Sequence, residues 1–122
     1  MTTTGKTILI TGCSSGIGLA AAKKLHEKGY RVFASARKDS DVQMLKNQGL
    51  IDSLVLDIDH SESIDAALEE IFAKTHYRLD AVFNNCGFAM PGAMEDITRP
   101  MLRTQFETNV FGPMELTNKI IP

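Results

Sequence analysis

The apolar positions of this 122-residue chain follow two alternating periods. Residues 7–11 centre on an unbroken apolar run, which is typical of a strand covered on both faces. From Gly16 the apolar residues recur with helical spacing, and Gly29 should end this helix as a C-cap. Three further strand–helix pairs follow. The predicted strands are residues 31–36, 53–56 and 79–83, and the predicted helices lie at 39–48, around 64–72 and at 99–120.

The order of these elements predicts an α/β fold. Strands that alternate with helices form a parallel sheet with right-handed crossovers. The sheet should therefore be doubly wound, and ligands of such sheets bind beyond the carboxyl ends of the strands. Asp59 or Ser61 is expected to cap the helix around 64–72.

Composition excludes several classes of protein. Hydrophobic residues make up 43% of the chain and the net charge is −2, so we expect a soluble domain without a nucleic-acid partner. No long apolar run is present and no signal-peptide pattern begins the chain, so we expect no membrane span and a cytoplasmic location. Cys13 and Cys86 do not make a disulfide framework. His26, His60 and His76 lie too far apart in sequence to suggest a metal site.

A glycine-rich turn joins the first strand to the first helix. Gly12, Gly16 and Gly18 are spaced G-x-x-x-G-x-G, and Ser14 and Ser15 lie between them. A strand that opens through glycines into a helix brings backbone N–H groups up to a phosphate, and the serine hydroxyls can reach phosphate or ribose. A helix entry without a ligand is the alternative, but the position at the first strand–helix junction favours a dinucleotide site.

The turn and three later features resemble one family. Residues 11–18 resemble the T-G-x-x-x-G-x-G motif of the short-chain dehydrogenase/reductase family, and residues 84–87 resemble its N-N-A-G motif, with Cys86 in place of alanine. Asp57 stands where the family has an acid after the third strand, and Asn109 where it has an active-site asparagine. The resemblance implies a Rossmann-type sheet that binds a nicotinamide cofactor, with the adenine amino group held by Asp57.

The end of the second strand indicates which nicotinamide cofactor is bound. An acid at this position binds the ribose 2′-OH of NAD, but here Ala36 is followed by Arg37 and Lys38. A guanidinium suits the 2′-phosphate of NADP, so we predict NADP(H) over NAD(H). The alternative is that Arg37 and Lys38 form a solvated basic turn before a helix, where Asp39 could also pair with Arg37. The expected cofactor-binding residues are Gly12, Ser14, Ser15, Gly16, Ile17, Gly18, Arg37, Lys38, Asp57, Ile58, Asn84, Cys86 and Gly87.

The last predicted helix should be irregular near its middle. Pro113 has no N–H to give to the carbonyl of Asn109, and Gly112 loosens the same turn. The resemblance implies that Asn109 is catalytic and helps to hold an active-site water linked to a lysine. A proline kink without catalytic meaning is the alternative.

The family's catalytic Ser and Y-x-x-x-K signature are not matched. Tyr30 is followed four residues later by Ala34, and Tyr77 by Ala81. The resemblance therefore implies that residues 1–122 are the incomplete N-terminal part of one NADP-binding Rossmann domain, truncated after the fourth strand and the following helix. Alone, this chain is expected to be inactive, with an open edge on the fourth strand and an uncovered apolar face on the last helix.

The resemblance implies the function of an NAD(P)-dependent oxidoreductase. A hydride would move between NADP(H) and a small carbonyl or secondary alcohol, and the full-length protein is expected to be a homo-oligomer. A non-catalytic dinucleotide-binding module is the alternative function. A nucleoside-binding methyltransferase fits poorly, because Arg37 and residues 84–87 have no role in it.

Overall fold

A computed structural model describes residues 5–122. Its centre is one four-stranded sheet of order β3-β2-β1-β4, in which every pairing is parallel. This architecture confirms the predicted doubly wound α/β fold. Because β2 and β4 lie on opposite sides of β1, the loops after β1 and β4 diverge and open a crevice. The strands are β1 Thr7–Ile10, β2 Arg31–Ala36, β3 Leu54–Val55 and β4 Ala81–Phe83.

Helices follow each strand, as the apolar periodicity predicts. The region predicted as one helix over 99–120 consists of two α-helices separated by a π-helical segment, which we call the wide turn. The helices are α1 Gly16–Glu27, α2 Asp39–Asn47, α3 Ser61–Thr75, α4 Arg99–Phe106 and α5 Gly112–Ile120; the wide turn is Glu107–Phe111, and a short 3₁₀ helix spans Met94–Asp96.

The core lies on both faces of β1. Ile8 and Ile10 pack on one face in a cluster that includes Leu45 of α2. Leu9 packs on the other face in a cluster that includes Leu116 of α5. A central strand buried on both sides explains why the sequence of β1 is continuously apolar.

The ends of several elements differ from the predictions. β3 has two residues and β4 three, so both are shorter than predicted. The predicted cap of α3 is wrong, because His60 is its N-cap and makes no side-chain cap bond. Asp59 instead accepts a hydrogen bond from Thr108, and Ser61 donates one to Glu115. Both side chains join the start of α3 to the last helical region rather than closing their own helix.

Two surfaces lack cover in the described part of the chain, as predicted. β4 lies at one edge of the sheet and Ala81 is exposed. The last helical region exposes large apolar side chains over 42% to 62% of their surface, which makes an apolar face. Within residues 5–122, no helix has the length and apolarity needed to cross a bilayer. The residues of the apolar face are Leu102, Phe106, Val110, Phe111 and Met114.

Candidate functional site

Because the four strands are parallel, the loops that follow them all lie at the carboxyl ends of the strands. Residues 11–18 follow β1, residues 37–38 follow β2, residues 57–59 follow β3 and residues 84–87 follow β4. These four loops contain every predicted cofactor-binding residue. The fold therefore brings together positions that lie up to 75 residues apart, as the Thr11–Cys86 hydrogen bond illustrates.

The pKa of the Cys86 thiol depends on charged groups in the neighbouring loops. Burial is the largest cause of its raised pKa, and the carboxylates of Asp59 and Asp57 raise it further. Arg37 acts in the opposite direction and lowers the pKa. A thiol after β4 therefore experiences charges from the loops after β2 and β3.

The glycine turn packs tightly against the loop after β4 on its inner side, and its outer side is open to solvent. A Cβ at Gly18 would collide with the carbonyl oxygen of Gly12 and would crowd the amide of Asn85, so the first turn of α1 fits against β1 only with glycine there. Gly16 has a φ of +61° and faces open space. The outer rim of the turn is exposed, and Ile17 is 73% exposed.

The start of α1 has the character of an anion site. Its N-cap, Ser15, makes no side-chain cap bond, and its first turn contains no acidic residue. By contrast, α2 has Asp39 and Asp41 in its first turn, and α3 has Glu62. The free N–H groups and the positive end of the helix dipole of α1 are therefore not balanced by a carboxylate of its own first turn. This arrangement suits a phosphate group.

Thr11 holds the loops after β1 and β4 together. Its buried Oγ1 accepts hydrogen bonds from the backbone N–H groups of Asn85 and Cys86, each at 3.0 Å. The side chain of Asn85 returns a bond from Nδ2 to the carbonyl oxygen of Gly12, at 3.1 Å. Sequence reasoning did not assign a role to Thr11, although a hydroxyl at the end of a buried strand is the signal that could have suggested one.

Asn84 does not share this role. The Nδ2 of Asn84 donates to the Oγ1 of Thr117 in α5, at 3.1 Å, rather than to the loop after β1. Asn85 thus bonds the loop after β1, and Asn84 bonds α5. The reason is direction, because successive residues leaving a strand point to opposite faces of the sheet.

The two thiols differ in environment. Cys13 is fully buried, donates to the carbonyl oxygen of Ile10 at 3.3 Å, and has a pKa raised to about 11 because burial disfavours its thiolate. Cys86 is half-buried, and its Sγ lies 3.2 Å from the point where a Cβ at Gly12 would stand. Cys86 therefore forms part of the floor beneath the glycine turn.

The basic pair after β2 is exposed. Among residues 5–122, Arg37 makes no hydrogen bond or ion pair, and the alternative pairing with Asp39 is not formed. Arg31, at the other end of β2, does pair with Asp52, at 2.9 Å. The guanidinium of Arg37 is thus available to an external anion.

The loop after β3 combines an acid with a core residue. Asp57 is half-buried; its Oδ1 accepts from the N–H of Asp59 at 3.1 Å, and its own N–H donates to the Oγ of Ser63 at 2.8 Å. Ile58 is only 5% exposed and packs in the core. A ligand above this loop would meet the Asp57 carboxylate and the backbone, rather than the Ile58 side chain.

Asn109 lies on the wide turn and forms two hydrogen bonds with the loop after β4. Its Oδ1 accepts from the N–H of Phe88 at 2.9 Å, and its Nδ2 donates to the carbonyl oxygen of Phe88 at 2.7 Å. Gly87 stands beside it, since a Cβ there would be 3.1 Å from Oδ1. The irregularity predicted from Pro113 is present as a five-residue π-helical turn rather than a simple kink.

A nicotinamide dinucleotide fits these features. The open N-terminus of α1 suits the pyrophosphate, and the exposed Arg37 suits a further phosphate. The half-buried carboxylate of Asp57, in the loop after β3, offers a hydrogen-bond acceptor. Among the described residues, no group of three or more His, Cys, Asp or Glu side chains could hold a metal ion.

Comparison with known proteins agrees with this geometry. The family described as short chain dehydrogenase matches residues 6–122. An uncharacterised oxidoreductase of Escherichia coli, YbbO, is 43% identical over 117 residues, which cover 96% of this chain and 43% of that protein. A 3-ketodihydrosphingosine reductase of Bacteroides thetaiotaomicron is 36% identical over 115 residues, covering 94% of this chain and 40% of the relative.

Two further similarities complete the comparison. An NADPH-dependent 3-dehydrocapnine reductase of Ornithobacterium rhinotracheale is 35% identical over 116 residues, covering 93% of this chain and 41% of the relative. The crystal structure of a short-chain dehydrogenase from Streptomyces avermitilis superposes with a TM-score of 0.85 at 33% identity, covering 94% of this chain and 43% of that one. The chain thus spans less than half the length of these relatives. With the doubly wound sheet, the glycine turn and these matches together, the chain belongs to the short-chain dehydrogenase family.

Proposed function

We propose that this chain forms the NADP(H)-binding part of an oxidoreductase that transfers a hydride between the nicotinamide and a carbonyl or secondary alcohol. The proposal rests on one observation. The glycine turn leads into the N-terminus of α1, whose first turn has no acidic residue, and the exposed side chain of Arg37 lies at the carboxyl ends of the same strands. The cofactor supplies the hydride when it is bound, and the protein supplies orientation and electrostatics.

The preference for NADP(H) rests on charge. An acid after β2 would repel a 2′-phosphate, and this chain has Arg37 and Lys38 there instead. A planar guanidinium can donate two parallel hydrogen bonds to a phosphate. Supporting evidence comes from the relative whose name includes NADPH-dependent, and from relatives named as reductases, which favour transfer from cofactor to substrate.

The chain's own residues would act by binding and positioning. Backbone N–H groups of the glycine turn hold the pyrophosphate, and Asp57 accepts from the adenine amino group. Asn109 holds the backbone of Phe88. In the proposed complex this loop would lie next to the nicotinamide end. Neither Tyr30 nor Tyr77 starts a Y-x-x-x-K sequence, so proton transfer to the substrate would need residues outside these 122, and this chain alone would be inactive.

A non-catalytic dinucleotide-binding module is the second candidate, because these residues contain a cradle and no matching tyrosine–lysine pair. Turnover by the full-length protein separates the two functions. The enzyme oxidises NADPH in the presence of a small panel of hydrophobic ketones, whereas the module binds NADPH and never consumes it. We further propose that the full-length protein is a homo-oligomer in the cytoplasm. Light scattering of the purified full-length protein tests the oligomeric state, and cell fractionation tests the location.

The cofactor preference is tested by a charge reversal. Arg37→Asp should weaken NADPH binding at least about tenfold and leave NADH binding nearly unchanged, because only NADPH carries the phosphate that Arg37 would contact. Lys46→Asp makes the same change of charge on the exposed end of α2 and serves as the control. Equal losses for both cofactors, or equal losses in both variants, would contradict the preference.

A further inference from the structure

The loop after β3 is tied to the wide turn by one short hydrogen bond. The Oγ1 of Thr108 donates to the Oδ1 of Asp59 at 2.6 Å, across 49 positions of sequence. Both residues are half-buried. A hydrogen bond to a carboxylate in such a place is stronger than one between neutral groups. It connects the adenine end of the site to the turn that carries Asn109.

Backbone packing reinforces the same connection. A Cβ at Gly112 would collide with the carbonyl oxygen of Ile58, so the end of the wide turn lies directly on the loop after β3. The N–H of Gly112 donates across the turn to the carbonyl oxygen of Glu107. The shape of the wide turn is therefore set partly by residues 57–59.

The other side of the wide turn holds the loop after β4. Asn109 bonds both backbone groups of Phe88, and Gln105, one turn earlier, accepts from the N–H of Met90 through its Oε1 at 2.9 Å. Phe88 is exposed, so these side-chain bonds are what fixes its backbone. Whatever sets the position of the wide turn also sets this loop.

We propose that Asp59 is a positioning residue for Asn109. Its hydrogen bond with Thr108 fixes the position of the wide turn. This position in turn keeps Asn109 in place to bond the backbone of Phe88. Asp59 also donates its N–H to the carboxylate of Asp57, so the adenine-binding acid and the positioning acid share one turn. Occupation of the adenine end then orders the loop at the nicotinamide end. The proposal rests on the proposed function for this last step only.

The link is tested first without a ligand, by hydrogen exchange of the Phe88 amide in the protein. Thr108→Val removes the bond to Asp59 while keeping the shape of the side chain. Thr104→Val is the matched control, because the hydroxyl of Thr104 bonds only the Pro100 carbonyl of its own helix. We expect Phe88 exchange to rise about tenfold or more relative to β1 amides with Thr108→Val, and to stay within about twofold with Thr104→Val. Equal exchange in the two variants overturns the proposal.

A conservative pair keeps the test decisive if Thr108→Val does not fold. Asp59→Asn retains an acceptor oxygen for Thr108 and should retain most of the protection of Phe88, whereas Asp59→Ala should lose it. Loss of protection in both, or in neither, contradicts a positioning role for this side chain.

Adding adenosine 2′,5′-bisphosphate then tests the coupling. This probe should slow Phe88 exchange in the wild type and leave Thr108→Val unchanged. The coupling is refuted if the probe slows Phe88 exchange equally in the wild type and in Thr108→Val. It is also refuted if the probe binds but slows Phe88 exchange in neither protein. If the probe does not bind at all, the proposed function fails, while the ligand-free comparison still decides the link.

Discussion

The side chain of Thr11 offers a sharp test of how the site is held together. Its buried hydroxyl accepts two backbone hydrogen bonds, from Asn85 and from Cys86. Thr11→Val replaces the hydroxyl with a methyl group of similar size and leaves both N–H groups without their acceptor. Thr11→Ser keeps the hydroxyl and removes only the methyl group, so the two variants separate hydrogen bonding from packing.

The magnitudes follow from the burial of the three residues. Each unpaired N–H costs about 1–3 kcal/mol when buried, and since Asn85 and Cys86 are half-buried we expect about 2–4 kcal/mol in total for Thr11→Val. Loss of one buried methyl group in Thr11→Ser costs about 1 kcal/mol. With a urea slope of about 2 kcal/mol/M, the unfolding midpoint of Thr11→Val should fall by roughly 1–2 M, and that of Thr11→Ser by about 0.5 M.

The assay is urea unfolding of both variants beside the wild type, followed by far-ultraviolet circular dichroism. Equal midpoints for Thr11→Val and Thr11→Ser would refute the reasoning, because they would mean that the hydroxyl does not hold the loops. The same variants titrated with NADPH should give weaker binding only for Thr11→Val.

Three other predictions follow from single features of the site and the sheet. Asp59→Asn should lower the pKa of Cys86 and Arg37→Gln should raise it, because the Asp59 carboxylate raises that pKa and the Arg37 guanidinium lowers it. The pH profiles of Cys86 alkylation in the two variants should therefore shift in opposite directions. A shift in the same direction would contradict the charge arrangement. Gly18→Ala should prevent α1 from closing on β1, because the new Cβ would meet the carbonyl of Gly12; native circular dichroism and undiminished NADPH binding in this variant would contradict that packing. Asp80 accepts a hydrogen bond from the backbone N–H of Thr7 in β1, which lowers the pKa of its carboxyl. The stabilisation is therefore present at neutral pH and is lost as the pH falls through the lowered pKa. The stability difference between the wild type and Asp80→Asn should shrink on acidification, and a constant difference would refute this.

The fold was predictable because its signals are local. The continuous apolar run of β1 and the helical faces of α1 and α3 can be read from neighbouring residues, and alternation of the two periods leaves few topologies. The position of the wide turn was also predictable, because Pro113 has no N–H. Its π-helical form was not, since it depends on the contact of Gly112 with Ile58, more than 50 positions away.

The site was predictable where it rests on motif spacing and unpredictable where it rests on distant partners. The glycine turn and the basic residue Arg37 could be located from sequence alone. Asp59 was read as a helix cap, but its partner Thr108 belongs to the last helical region. Residues near a helix start often cap it, and only the packed structure reveals that another acceptor or donor competes for the side chain.

The cofactor cradle is tested most directly by equilibrium titration of the protein with NADPH and, in parallel, with NADH, followed by the fluorescence of the nicotinamide. We predict saturable binding of NADPH with an affinity at least about tenfold higher than that of NADH. Absence of saturable binding by either dinucleotide, or tighter binding of NADH, would contradict the assignment of residues 11–18 and Arg37 to an NADP(H) site.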